Sequence, residues 1–118
     1  KDINDSFGHQ GGDRYLISIS QEIRKNLQPE AALFRYAGDE FLVVMQHVDE
    51  QVLTAAAQNL QQQVEKVHVV WGGKDIQTTV SVGLAMAEMH TGSWDDVVQM
   101  ADLAMYRVKS QGGNGVSW

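Results

Sequence analysis

The order of elements in this 118-residue chain predicts an α+β fold, an α/β sandwich in which helices flank a mainly antiparallel central sheet. Three observations lead there. Apolar residues recur at helical spacing in three separate segments. Short β-rich runs come in pairs joined by glycine-bearing turns. The sequence of elements is helix, hairpin, helix, strands, helix, strand. The length suits one domain, and 43% hydrophobic residues suffice for a core and exclude disorder by composition.

The first helix is expected from about Gly11 to Leu27, because Leu16, Ile19, Ile23 and Leu27 recur at three- and four-residue steps. Pro29 breaks it. Leu33–Tyr36 and Phe41–Met45 follow as strands joined by the turn Ala37-Gly38-Asp39-Glu40. Leu53, Ala56, Leu60, Val64 and Val67 define a second helix that starts at Asp49 as N-cap. Val67–Trp71, a Gly72-Gly73 turn and Ile76–Ala87 read as a second hairpin. Ser93-Trp94-Asp95-Asp96 resembles a capping box. The helix it opens carries Trp94, Val97, Ala101, Ala104 and Val108 on one face, and Gly112-Gly113 ends it. Val116–Trp118 forms a last strand.

Nine basic against fifteen acidic residues give a net charge of −6. A nucleic-acid binder usually carries a basic stripe, so that class is disfavoured. A polyphosphate ligand would be repelled unless cations intervened. The chain has no cysteine, which excludes disulfides and thiolate metal sites. None of the four histidines forms a His-x-x-x-His pair, and no run of 18 apolar residues reads as a membrane span. The chain reads as a soluble, cytoplasmic domain, with room for a membrane anchor or sensor upstream in a parent protein.

Two adjacent carboxylates, Asp39 and Glu40, stand at the first turn. Gly38 suits a turn because it accepts positive φ, and Asp39 is an ordinary turn residue, so alone the pair reads as solvated. Three other stretches bear on it. Lys1–Leu16 places Lys1, Asn4, Asp5, His9 and Asp13 on an expected loop-to-helix junction with glycines at 8, 11 and 12. Glycines there permit close approach of a ligand, and a helix N-terminus favours phosphate. An Asn–Asp pair can read the edge of a base such as guanine, although each residue singly is as well explained by capping or solvation. Thr78–Ala85 is a half-buried strand in which Gly83 lets a neighbouring backbone pass closely. In Ala101–Asn114, Lys109 lies at a helix end, where a cation offsets the dipole or reaches a phosphate.

Together these stretches resemble the GGDEF family of diguanylate cyclases. The pattern F-K-x-I-N-D-x-x-G-H-x-x-G-D runs from Lys1 through Asp13, R-Y-G-G-D-E-F matches Arg35–Phe41 with one change, and T-x-S-x-G and A-D-x-A-x-Y-x-x-K follow. The resemblance covers essentially the whole chain, residues 1–118, and implies the palm-like nucleotidyl cyclase fold. It implies an enzyme that condenses two GTP into cyclic di-GMP with release of two pyrophosphates, using Mg²⁺ (or Mn²⁺) and a homodimer of single-site halves. By that analogy Asp39 and Glu40 are metal ligands, with Asp39 the proton acceptor and Glu40 assisting. Lys1 stabilises charge on the phosphates, Asn4 and Asp13 recognise guanine, and His9 and Gly38 line the substrate pocket. Lys109 meets the terminal phosphates. A covalently linked sensor or regulatory domain upstream is a further expectation.

The chain departs from the family pattern at four places. Ala37 replaces a glycine, so its methyl either fits, if φ is negative, or strains the hairpin and crowds the nucleotide; reduced rather than abolished activity is expected. Gly113 replaces a phosphate-contacting arginine, a loss of about 1.5–3 kcal/mol. Gln28 and Ala31 occupy the ends of the family's R-x-x-D product-inhibition motif, so feedback through it should be absent. The strand bearing D-x-D that precedes F-K in the family is not in this sequence, which implies a fragment that cyclises GTP poorly alone. The alternative readings are a degenerate module that binds GTP or a partner domain without catalysis, and a palm-like nucleotidyl transferase with another substrate.

Overall fold

The computed structural model describes residues 2–77, 79–87 and 93–118, with the backbone alone for residues 2–11. Among the described residues three helices are seen: α1 (Asp2–Lys25), α2 (Glu50–Glu65) and α3 (Trp94–Ser110). The strands among those residues are β1 (Ala32–Ala37), β2 (Glu40–Val44), β3 (Val69–Trp71), β4 (Lys74–Ile76), β5 (Ser81–Gly83) and β6 (Gly115–Ser117). The mixed α+β class is as the sequence predicts. Among the described residues β1–β2 and β3–β4 pair antiparallel, whereas β5–β6 pair parallel.

The chain forms two compact units. The first comprises Lys1–His47 and Gln63–Thr78, the second Val48–Gln62 and Thr79–Trp118. In the first, α1 buries Tyr15, Leu16, Ile19 and Ile23 along one stripe, and it packs against β3. Val64 and Ile76 are equally inaccessible. Each such side chain contributes roughly 1.5–3 kcal/mol by leaving water.

Helix α1 begins at Asp2, well before the expected Gly11. Gly8, Gly11 and Gly12 are therefore helix interior, and the expected loop-to-helix junction with a phosphate-facing N-terminus at those glycines is absent. Each helical glycine costs about 0.8–1 kcal/mol against alanine, which hides the first turns from propensity reasoning. The buried stripe further along stabilises the helix through packing.

In the second unit α3 packs on β5 and β6. A Cβ built on Gly83 would overlap the Ala101 carbonyl oxygen and the Met105 amide nitrogen, so the close passage expected there is with the α3 backbone. Ser93 caps α3 in a full capping box: its hydroxyl accepts from Asp96 N, and the Asp96 carboxylate accepts from Ser93 N. Ala104 and Val108 are buried as expected, but Trp94 is 55% exposed, since ten residues earlier it points about 80° round the helix from Ala104. Asp49 caps α2 by accepting from Val52 N at 2.8 Å. The second expected hairpin is shorter than read: its return strand stops at Ile76, and Ser81–Gly83 pairs with the chain's last strand instead. No helix among the described residues is long and apolar enough to cross a membrane.

Candidate active site

The register of hairpin β1–β2 brings Gly38, Asp39 and Glu40 together at its tip. Ala32 to Arg35 pair in step with Val44 to Phe41, after which Ala37 pairs with Glu40. Tyr36 is thus an extra residue, a bulge that increases local twist and redirects the end of the ribbon. Gly38 has φ +42, and an added Cβ would meet nothing within 4 Å, so glycine is needed there for conformation rather than for room. The Arg35 Nε–H donates to the Gly38 carbonyl oxygen at 2.8 Å. Asp39 is exposed and Glu40 half-buried.

Ala37 is not among the residues with positive φ, which outside glycine are His47 and Asn114. Its methyl therefore fits the hairpin without backbone strain, and of the two expectations for this position the strained one falls away.

The remaining predicted residues are distributed differently. Asp13 lies exposed on α1 in the same unit as the turn, beside Arg14, whose guanidinium stands 5.7 Å above the Trp71 ring in a cation–π contact. Lys109 belongs to the second unit, exposed on the last turn of α3. Past it, Gly112 N donates to Lys109 O and Gly113 N to Val108 O at 2.9 Å, with φ +108 and +78 at the two glycines, a helix stop of Schellman type. Lys1 and the side chains of Asn4 and His9 lie outside the described residues.

Among the described residues no three acidic or histidine side chains gather into a metal cluster. The donor set at the tip nonetheless has the right chemistry for Mg²⁺, a hard cation that takes one or two carboxylates and completes its shell with water and substrate phosphates. Asp39, which is exposed, and Glu40, which is half-buried, are the residues that would supply those carboxylates.

Two arrangements are not legible from the sequence alone. Arg35 bonds the turn, and its only signal is a guanidinium three residues before the turn glycine. Arg24 donates from Nη1 to Ala31 O at 2.6 Å and from Nη2 to Gln28 O at 2.5 Å. It braces the loop that leads into β1, at the two positions where R-x-x-D would stand. Ala31 is buried there and Gln28 exposed. A groove of about 520 Å³ lined by Gln21, Lys25, Lys66 and His68, and one of about 330 Å³ beside Thr54 and Trp118, involve none of the predicted residues.

Comparison with known proteins places this geometry in a family. The profile described as "Diguanylate cyclase, GGDEF domain" matches residues 1–115. Diguanylate cyclase DosC of Escherichia coli is 36% identical over 98% of this chain, which spans 25% of that protein. The cyclic di-GMP phosphodiesterase PdeR of the same species is 33% identical over 98% of this chain and 17% of its own length. Among solved structures, the GGDEF domain of YfiN (or TpbB) from Pseudomonas aeruginosa superposes with a TM-score of 0.89 at 27% identity, covering 98% of this chain and 73% of that one. This chain therefore belongs to the GGDEF-domain family of diguanylate cyclases.

Proposed function

We propose that this chain is a catalytic half-site that joins two GTP molecules into cyclic di-GMP in a homodimer. The observation that supports this most is the tip itself, where the only two residues between β1 and β2, Gly38 and Asp39, put Asp39 beside Glu40. Asp39 and Glu40 hold Mg²⁺ (or Mn²⁺), which when bound neutralises the triphosphate and polarises the α-phosphoryl group. Asp39 accepts the proton of the ribose 3′-hydroxyl, with Glu40 assisting. The 3′-oxygen then bonds to the α-phosphorus of the GTP held by the other subunit, and the bond from that phosphorus to the bridging oxygen breaks, releasing pyrophosphate. Repeating the step in the opposite sense closes the ring, which is why two single-site halves must meet.

Asn4 and Asp13 read the guanine, while Lys1 and Lys109 balance phosphate charge and His9 lines the pocket. The bound GTP carries more negative charge than a chain of net charge −6 tolerates without cations. The domain spans residues 1–118, and the parent protein couples it to an upstream sensory or regulatory segment on the cytoplasmic side. The share of DosC that the chain covers, 25%, is in keeping with such a segment.

The second reading is a module that binds GTP and regulates a neighbour without turnover. Gly113 in place of the family's arginine favours it, as does the resemblance to PdeR, a protein named for the opposite activity. Incubation with GTP and Mg²⁺, with cyclic di-GMP followed by chromatography and GTP binding by calorimetry, separates the two. Product formed by the parent protein and by neither its Asp39→Ala nor its Glu40→Ala variant selects the cyclase. Saturable GTP binding without product selects the module. Because Gln28 and Ala31 replace the inhibitory pair, the cyclase reading also expects no saturable, non-competitive inhibition by added product.

A further inference from the structure

We infer that Arg35 is a positioning residue, a tie across the bulge that fixes the direction in which Asp39 leaves the hairpin tip. The inference deepens the cyclase reading and rests on it for its catalytic consequence.

The ladder of β1–β2 is regular as far as Arg35 and Phe41 and resumes only at Ala37 and Glu40. An extra residue leaves one step of an antiparallel ladder unpaired. The tip, which carries both carboxylates, is therefore joined to the body of the hairpin through its weakest point, and along strand β1 it is exposed from Phe34 onward.

Arg35 is the last residue of the regular ladder, and Gly38 is the first of the loop. The bond from Arg35 Nε to Gly38 O, 2.8 Å long, runs from one side of the interruption to the other. It replaces a missing rung. The carbonyl it grips belongs to the peptide unit linking Gly38 to Asp39, and a peptide unit is planar from one Cα to the next. Holding that oxygen therefore fixes the plane in which the Asp39 Cα lies. It also restrains Gly38, which has the widest conformational freedom of any residue in the tip.

The donor type matters. Nε is a side-on donor within a rigid planar fork, one atom nearer the backbone than a lysine ammonium, which is a rotating point charge. A tie of this kind depends on geometry, and a cation of the same sign in the same place does not reproduce it.

The test compares the unmodified chain with Arg35→Ala and Arg35→Lys by site-resolved amide hydrogen exchange, with Mn²⁺ titration and steady-state kinetics alongside. In both variants exchange over residues 38–41 accelerates by about five- to tenfold, the loss of one net hydrogen bond, while α1 and the β3–β4 hairpin keep their rates. Mn²⁺ binds several-fold more weakly, and kcat falls with little change in the KM for GTP. Unchanged exchange at 38–41 in Arg35→Ala overturns the inference, as does full restoration by Arg35→Lys, which would make charge rather than geometry responsible. Should the parent protein neither bind Mn²⁺ nor turn over GTP, the cyclase reading fails on its own, and the exchange rates still decide whether the tie exists.

Discussion

Hairpins β1–β2 and β3–β4 belong to the same unit, and both close over a two-residue loop that begins with glycine, yet they reach closure by different means. In β3–β4 the pairs Val69–Ile76, Val70–Asp75 and Trp71–Lys74 stay in step, and Gly72 and Gly73 both have positive φ, +61 and +79. That is the arrangement whose twist matches the strands it joins. In β1–β2 the second loop position is given to Asp39, only Gly38 has positive φ, and the strands fall out of step at Tyr36. The difference teaches that a loop giving its second position to a carboxylate departs from the best-matched turn, and that a side chain of the same hairpin, Arg35, bonds across the interruption. A glycine pair makes a stable end; a glycine–acid pair makes a useful one.

The largest effect that would sharpen this contrast is on turnover. Asp39→Ala and Glu40→Ala should each lower cyclic di-GMP formation by at least about a hundredfold, the scale of removing a charge-bearing group from a reacting centre. Gly72→Ala and Gly73→Ala should leave it within about twofold, since neither belongs to the proposed site. Next comes stability. Gly38→Ala, Gly72→Ala and Gly73→Ala each force a side chain into left-handed φ and should cost roughly 1–2 kcal/mol in urea unfolding, so the hairpins differ in chemistry while agreeing in conformational demand. A negligible cost at Gly38 alone would break the comparison.

Ala37→Gly is expected to have a smaller consequence, a loss of about 0.5–1 kcal/mol from added chain entropy with turnover nearly unchanged. A several-fold gain in turnover would instead show the methyl crowding the nucleotide. The smallest effect belongs to the pair His68 Nδ1 and Asp75 Oδ2, 2.8 Å apart and about half exposed. Asp75→Asn should change the unfolding free energy by less than about 1 kcal/mol in urea titration, as loss of solvent-exposed pairs does.

Features governed by short-range chemistry were legible in the sequence. Ser93 with Asp96, Asp49 before α2, the Gly72-Gly73 loop and the Gly112-Gly113 stop each depend on residues within a few positions, and each was read correctly. What was missed depends on distance or on context. The early start of α1 was hidden by glycines that tertiary packing overrides. The parallel pairing of Ser81–Gly83 with Gly115–Ser117 spans more than thirty residues and leaves no local trace. The Tyr36 bulge is a fact of register, since nothing in the residue itself distinguishes it from a regular strand position. In the candidate site, the placing of Asp39 and Glu40 at a tight turn was legible from Gly38, whereas the bond from Arg35 to a turn carbonyl was not.

The Arg24 brace has a consequence for anyone wishing to transplant feedback control into this chain. Writing an aspartate at position 31 would set a carboxylate where Ala31 is only 6% accessible, next to a guanidinium already committed to two main-chain oxygens. The newcomer and the loop carbonyls would compete for Arg24, so the graft would loosen the approach to β1 before it recognised any nucleotide. Recovering a product sensor here calls for re-routing that loop, because swapping two letters leaves the lock already occupied by its own key.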